Sequence, residues 1–68
     1  MIYLRIKEIA QEKEISQRQL SLRSGVDINT VRKIFREPYS IVTTETLDKI
    51  SKILDVDASM LIKSEKDL

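Results

Sequence analysis

Apolar residues recur three and four positions apart along most of the chain, the spacing that gathers side chains onto one face of an α-helix. The pattern predicts an all-α domain of five helices, over residues 4–13, from 17 to the turn at Gly25, and over 28–36, 44–54 and 58–63, followed by a frayed charged tail over 64–68. Ile2, Leu4 and Ile6 also alternate as in a strand, so the first residues can be extended before the first helix begins. The residues expected in the core are Ile6, Ile9, Ala10, Leu20, Val31, Ile34, Phe35, Leu47, Ile50, Ile53, Leu54 and Leu61.

The stretch over residues 17–36, QRQLSLRSGVDINTVRKIFR, predicts two short helices joined by a tight turn. Gly25 can adopt the positive φ that ends the first helix, and Asp27 is suited to cap the second. One face of the second helix is apolar, and its other face consists of Ile28, Asn29, Arg32, Lys33 and Arg36. A helix held by its apolar side that presents an amide and three cations outward suits the major groove of DNA.

Polar residues mark the starts of two other helices. Ser16 precedes the second helix and Gln19 follows three residues later, which predicts a capping box. Thr43 or Thr44 is expected to cap the fourth helix after a loop over residues 37–43. Ile41 and Val42 lie in that loop, and they either fold back onto the core or contact a second copy of the chain.

Length and composition narrow the range of functions. A chain of 68 residues has room for a single domain, over residues 1–68, with a small core. Cys and His are both absent, which removes the commonest metal ligands, disulfides and the commonest general base. We therefore expect no metal, no cofactor and no enzyme activity. No apolar run is long enough to span a bilayer, so we expect a cytoplasmic protein.

The net charge of +1 hides an asymmetry between the two halves. Residues 1–36 hold eight Lys and Arg against four Asp and Glu, a balance of +4, whereas residues 37–68 hold four against seven, a balance of −3. Every Arg lies in the first half, together with the two-helix stretch. This distribution favours an anionic partner that meets one side of the domain.

From about Arg5 to Ile62 the sequence resembles the Cro/repressor-type (XRE-like) helix-turn-helix DNA-binding family. The resemblance depends on residues that stand in register, namely Gln17, Leu20, Gly25, Val26, Val31 and Ile34 in the motif and Leu47, Ile50 and Leu54 after it. It implies a compact five-helix, lambda-repressor-like domain with the helix-turn-helix at the second and third helices. Ser21 and Ser24 replace residues that are usually Ala and apolar, which suggests a thinner core around the second helix. Glu37 stands where basic residues are usual.

The resemblance also implies roles for individual residues. The positions that read base edges are Ile28, Asn29, Arg32 and Lys33, and those that meet backbone phosphate are Gln17, Thr30, Arg36 and Ser40. Several of these have a second interpretation: Gln17 as an ordinary polar residue of a first helical turn, Ile28 as a cover for the core, and Asn29, Arg32 and Lys33 as a solvated helix face. The C-terminal end of the domain pairs two copies in the family, and the candidates here are Ile41, Val42, Met60 and Ile62. The alternative is that the N-terminal residues cover this patch.

The sequence is compatible with two functional hypotheses. The first is a sequence-specific regulator, expected to be a repressor, that binds a double-stranded DNA operator as a homodimer. The second is a protein-interaction module, an antitoxin or adaptor with a protein partner, in which the helix-turn-helix serves only as a scaffold. The two can coexist, since an antitoxin can repress its own operon.

Overall fold

The computed structural model describes residues 1–66, which form four α-helices, one 3₁₀ turn and two short strands. In chain order these are β1 (Ile2–Leu4), α1 (Ile6–Glu12), α2 (Gln17–Ser24), α3 (Ile28–Arg36), α4 (Thr44–Leu54), the 3₁₀ turn (Ala58–Leu61) and β2 (Ile62–Ser64). The mostly helical class and the helix-turn-helix are confirmed, and α3 has the predicted bounds.

The helical apolar faces meet in one core. Its fully buried members include Ile6 from α1, Leu20 from α2, Val31 from α3, and Ile50 and Leu54 from α4. Phe35, Leu47 and Ile53 are only partly buried and pack against its periphery. The core therefore draws on every helix, and α3 is held in place through one side only.

The predicted caps are present. The Ser16 hydroxyl accepts the N–H of Gln19 at 3.1 Å, and the Gln19 side-chain oxygen accepts the N–H of Ser16 at 3.2 Å, which completes the capping box. The Asp27 carboxylate accepts the N–H of Asn29 at 2.9 Å at the start of α3. Thr43, rather than Thr44, caps α4. Each cap satisfies amide groups that the first helical turn leaves without a partner.

The two ends of the chain correct the sequence prediction. The expected fifth helix over 58–63 is a single 3₁₀ turn, after which the chain extends into β2, so the five-helix count is not confirmed. β2 pairs antiparallel with β1, with Leu4 opposite Ile62 and Ile2 opposite Ser64. This pairing holds residues 2–4 extended and delays α1 to Ile6. The alternation of Ile2, Leu4 and Ile6 was thus a strand signal, and the domain is helical with a two-stranded sheet rather than purely helical.

Part of the predicted frayed tail over 64–68 is ordered. Ser64 ends β2, and the backbone of Glu65 exchanges hydrogen bonds with that of Met1 at 2.7 and 2.8 Å. The Glu65 carboxylate also accepts the hydroxyl of Tyr39, and this hydrogen bond raises the pKa of Tyr39. Residues 67 and 68 lie outside the described part. Within the described part, no helix has the length and apolar character needed to cross a membrane.

Candidate nucleic-acid interface

The turn between α2 and α3 sets the angle of the candidate interface. Gly25 ends α2 with φ of 77°, in the left-handed region, and its N–H donates to the Ser21 carbonyl at 2.9 Å. Apart from Gly25 itself and its two chain neighbours, no residue has a heavy atom within 4 Å of the position that a Cβ would occupy there. Glycine is therefore required by the backbone conformation and not by crowding.

Two serine hydroxyls hold this turn from inside. Ser21 Oγ donates to the carbonyl of Val26 at 2.6 Å, and Ser24 Oγ donates to the carbonyl of Leu20 at 2.6 Å. Ser24 Oγ also accepts the N–H of Val26 at 3.2 Å. Both polar substitutions in α2 thus supply hydrogen bonds that pin Val26, which is buried, at the start of the turn toward α3.

The two faces of α3 differ sharply. Val31 and Ile34 are buried in the core and Phe35 is partly buried beside them. The polar side chains of the opposite face are all exposed, namely Asn29, Thr30, Arg32, Lys33 and Arg36. The helix therefore presents a polar surface that includes the predicted Asn29, Arg32, Lys33 and Arg36, with the partly buried Ile28 at its start.

The cations of this surface have no carboxylate partners. The ion pairs between described side chains join Arg5 to Glu8 at the start of α1, and Lys49 to Glu45 and Lys52 to Asp48 on α4. Within residues 1–66, Arg32, Lys33 and Arg36 form no ion pair and no hydrogen bond to another side chain. Their positive charge is free to meet an anion from outside.

The start of α2 offers backbone amide donors. Gln17 is the first residue of α2 and is partly buried. Within the described part of the chain, the backbone N–H groups of Gln17 and Arg18 have no acceptor, because the Ser16 cap takes the N–H of Gln19 instead. Unpaired amides at a helix N-terminus favour an anion such as phosphate. The placement of Gln17 therefore fits its predicted role.

A cleft between α2 and α3 brings in a residue to which the sequence reasoning assigned no role. Arg18 lines this cleft together with Leu22, Ile28 and Arg32. Ile28 is only partly buried there, so its side chain neither fills the core nor stands free. Arg18 comes directly after Gln17, and its sign and its place in the first turn of α2 were the signals that could have identified it.

Ser40 is placed differently from the other predicted phosphate contacts. Its hydroxyl oxygen is buried and has no hydrogen-bond partner, and its backbone N–H donates to the carbonyl of Glu37 at 3.0 Å. Neither group faces outward in this conformation. Thr30 and Arg36 are exposed on α3, whereas Ser40 lines a groove with Ile41 and Ile62.

The candidate dimer residues divide into two sets. Ile41, Val42 and Ile62 line one groove, to which Ile2 and Tyr39 also contribute. Ile41 is 96% exposed, while Val42 packs partly against the core. Met60 is exposed but does not line this groove. Val42 therefore folds back onto the core, whereas Ile41 stays exposed.

Comparisons with known proteins agree with this geometry. A family model described as helix-turn-helix matches residues 6–61. A crystal structure of a "putative DNA-binding protein" from Bacteroides fragilis is 30% identical in sequence and superposes with a TM-score of 0.81. That similarity covers 93% of this chain and 100% of the other. No curated protein matches.

Proposed function

The chain belongs to the helix-turn-helix family, in its XRE-type branch, and on this premise we propose that it is a sequence-specific regulator of transcription that represses by binding double-stranded DNA as a homodimer. The similarity to a crystal structure described as DNA-binding supports the DNA partner. Repression would follow from occupying the promoter itself.

One observation carries this proposal, namely that α3 exposes cations with which no carboxylate among residues 1–66 pairs. Within residues 1–66, the two lysines of α4 pair with Glu45 and Asp48, and Arg5, just before α1, pairs with Glu8, whereas the cations of α3 form no ion pair. The buried contacts of Val31 and Ile34 hold α3 against the core, so its polar face projects as a rigid unit. A rigid helix with free cations and an amide fits the width and the acceptor pattern of the major groove.

The base-reading roles follow from side-chain chemistry. The side-chain amide of Asn29 would form two hydrogen bonds with the major-groove edge of adenine. Arg32 and Lys33 would donate to the N7 and O6 acceptors of guanine. Ile28 would offer apolar contact, for example to a thymine methyl group. Its partial exposure in the cleft supports this role over that of a core cover.

The phosphate contacts would fix the orientation of the domain on DNA. Gln17 would bind phosphate near the free amides of α2, and Thr30 and Arg36 would bind it from α3. Arg18 joins this set because it lines the cleft beside Arg32. We leave Ser40 out of it, because its hydroxyl is buried.

The test is a selection of random duplex DNA by the purified protein, with binding of the enriched sequences followed at two salt concentrations. A homodimer is expected to enrich a two-fold symmetric site with half-sites about 34–36 Å apart, or about 10 base pairs. The control is the double variant Asn29→Ala, Arg32→Ala, which changes two exposed side chains. Its circular dichroism spectrum should show the same helix content as the wild type, but it should no longer enrich the site.

Enrichment of a single half-site would support sequence-specific DNA binding but contradict the homodimer. If no sequence is enriched and the wild-type protein and the double variant bind DNA equally weakly, the regulator is wrong. The antitoxin or adaptor alternative would then be the one to pursue, with the exposed groove around Ile41 as the first surface to examine.

A further inference from the structure

The two edges of the terminal sheet differ. On the outer side of β1, the N–H of Leu4 donates to the carbonyl of Pro38 at 2.8 Å. β2 forms the other edge, and all of its residues are exposed. An open strand edge presents unpaired N–H and C=O groups that can pair with another strand.

The hydrogen-bond pattern shows which groups of β2 point outward. Met1 and Glu65 exchange two backbone hydrogen bonds with each other. In an antiparallel pair, such residues alternate along each strand with residues whose N–H and C=O groups point away from the partner strand. Lys63, opposite Tyr3, is therefore bonded to β1, whereas Ile62 and Ser64 direct their N–H and C=O groups away from it. Within residues 1–66 no acceptor or donor meets those outward groups.

We propose that this open edge pairs with the same edge of a second copy, antiparallel and with the two-fold axis passing beside Ser64, so that two sheets join into one of four strands. The inference rests on the homodimer of the proposed function and deepens it by naming the interface and its register. Ser64 and its counterpart would exchange the central pair of hydrogen bonds, and Ile62 would lie opposite Lys66 of the other copy.

Charge selects this register over its neighbours. With the axis at Ser64, Lys63 of each copy lies opposite Glu65 of the other, which makes two cross-strand pairs of opposite charge. Shifting the axis to Lys63 would place two lysines directly opposite each other, and shifting it to Glu65 would oppose two carboxylates. Like charges directly opposite destabilise a strand pair. The edge is therefore complementary to itself in one register, which is what a two-fold homodimer requires.

The neighbouring groove supplies apolar surface for the same contact. Ile62 stands on the sheet face that Ile2 also shares, and both line the groove with the exposed Ile41. A strand of this length alone buries less than the roughly 1,000 Å² expected of a specific interface. Joining the two edges would bring the two grooves alongside each other, so that apolar contacts add to the strand pairing.

The decisive experiment uses opposite charge reversals in separate chains. Lys63→Glu gives an edge with two carboxylates and Glu65→Lys one with two amines, so each variant opposes like charges when it pairs with itself. We expect sedimentation equilibrium at low salt to show the dimer dissociation constant raised by roughly tenfold or more in each variant alone. Mixing the two variants restores opposite charges at both positions, so we expect a one-to-one heterodimer of near wild-type strength.

Matched controls separate the edge from general effects. Lys7→Glu and Glu12→Lys make the same charge changes on exposed positions of α1 and are expected to leave the dimer intact. Tyr39→Phe removes the hydroxyl that Glu65 accepts, and it shows what loss of that bond alone does. Ser64→Pro removes an N–H that points away from β1, so it should abolish the dimer while circular dichroism reports a folded chain.

A wild-type protein that sediments as a monomer at every concentration would overturn the inference, as would a dimer that both charge reversals leave unchanged. So would a stable complex in which a strand of a different protein occupies the β2 edge. The proposed function is tested separately. If the dimer responds to the charge exchange as expected but no DNA sequence is enriched, the proposed interface stands and the proposed regulator is wrong.

Discussion

Replacing Arg36 with Gln tests whether the far end of α3 meets the DNA backbone. Arg36 is the last residue of α3, is exposed, and has no ion-pair partner within residues 1–66. If it neutralises one phosphate, Arg36→Gln should reduce the slope of log affinity against log salt by about 0.9. Between 50 and 200 mM salt the advantage of the wild type over the variant should then shrink by about 3.5-fold.

The assay is fluorescence anisotropy with an enriched duplex and with an unrelated one, titrated over that salt range. A phosphate contact should weaken both duplexes alike. Lys52→Gln is the matched control, because it removes one positive charge from α4, where Lys52 pairs with Asp48 at 3.1 Å. An effect of net charge alone would appear equally in both variants, whereas a contact would appear only in Arg36→Gln.

Arg32→Ala gives the complementary result. A lost bidentate contact to a base should cost about 1–3 kcal/mol on the enriched duplex, or about 5- to 150-fold in affinity, and should relax preference at that base pair. The reasoning is refuted if Arg36→Gln leaves the salt slope at the wild-type value, or if Arg32→Ala binds the enriched duplex with unchanged affinity.

Three further substitutions test the local structure by urea unfolding. Ser16→Ala removes half of the capping box and should lower the free energy of unfolding by about 0.5–2 kcal/mol, and a loss under 0.2 kcal/mol would contradict the cap. Gly25→Ala forces a Cβ into the left-handed region and should cost about 1–2 kcal/mol even though the space is open, so an unchanged midpoint would show that the turn adapts. Glu14→Gly should instead add about 0.5–1 kcal/mol, because Glu14 has φ of 56° without being glycine, and a destabilised variant would mean that its side chain makes an unrecognised contact.

Much of the helix-turn-helix was determined by the sequence, because its determinants are local. The capping box of Ser16, the cap at Asp27 and the left-handed Gly25 depend on residues a few positions apart, whose geometry follows from helix and turn geometry alone. The same holds for the two faces of α3, since a period near 3.6 residues separates buried Val31 from exposed Arg32 without reference to the rest of the chain.

Tertiary structure decided the features that join distant residues. The first residues fit a strand or a helix until β2, about sixty positions away, provided a partner through which Leu4 meets Ile62. The same pairing shortened the fifth helix to a single 3₁₀ turn and left one strand edge open. Short strands have little preference of their own, and their pairing depends on which segments the folded core brings together.

The same distinction between local and tertiary determinants applies to the candidate interface. The residue types that suit DNA could be read from spacing. That Arg32, Lys33 and Arg36 form no ion pair within residues 1–66 could not, because it depends on where the carboxylates of the fold lie. Likewise, the place of Arg18 in the cleft beside Arg32 and the burial of the Ser40 hydroxyl depend on packing between separate elements. Local hydrogen bonds and helical period act over a few residues and are visible in the sequence, whereas burial and charge pairing are properties of the assembled fold.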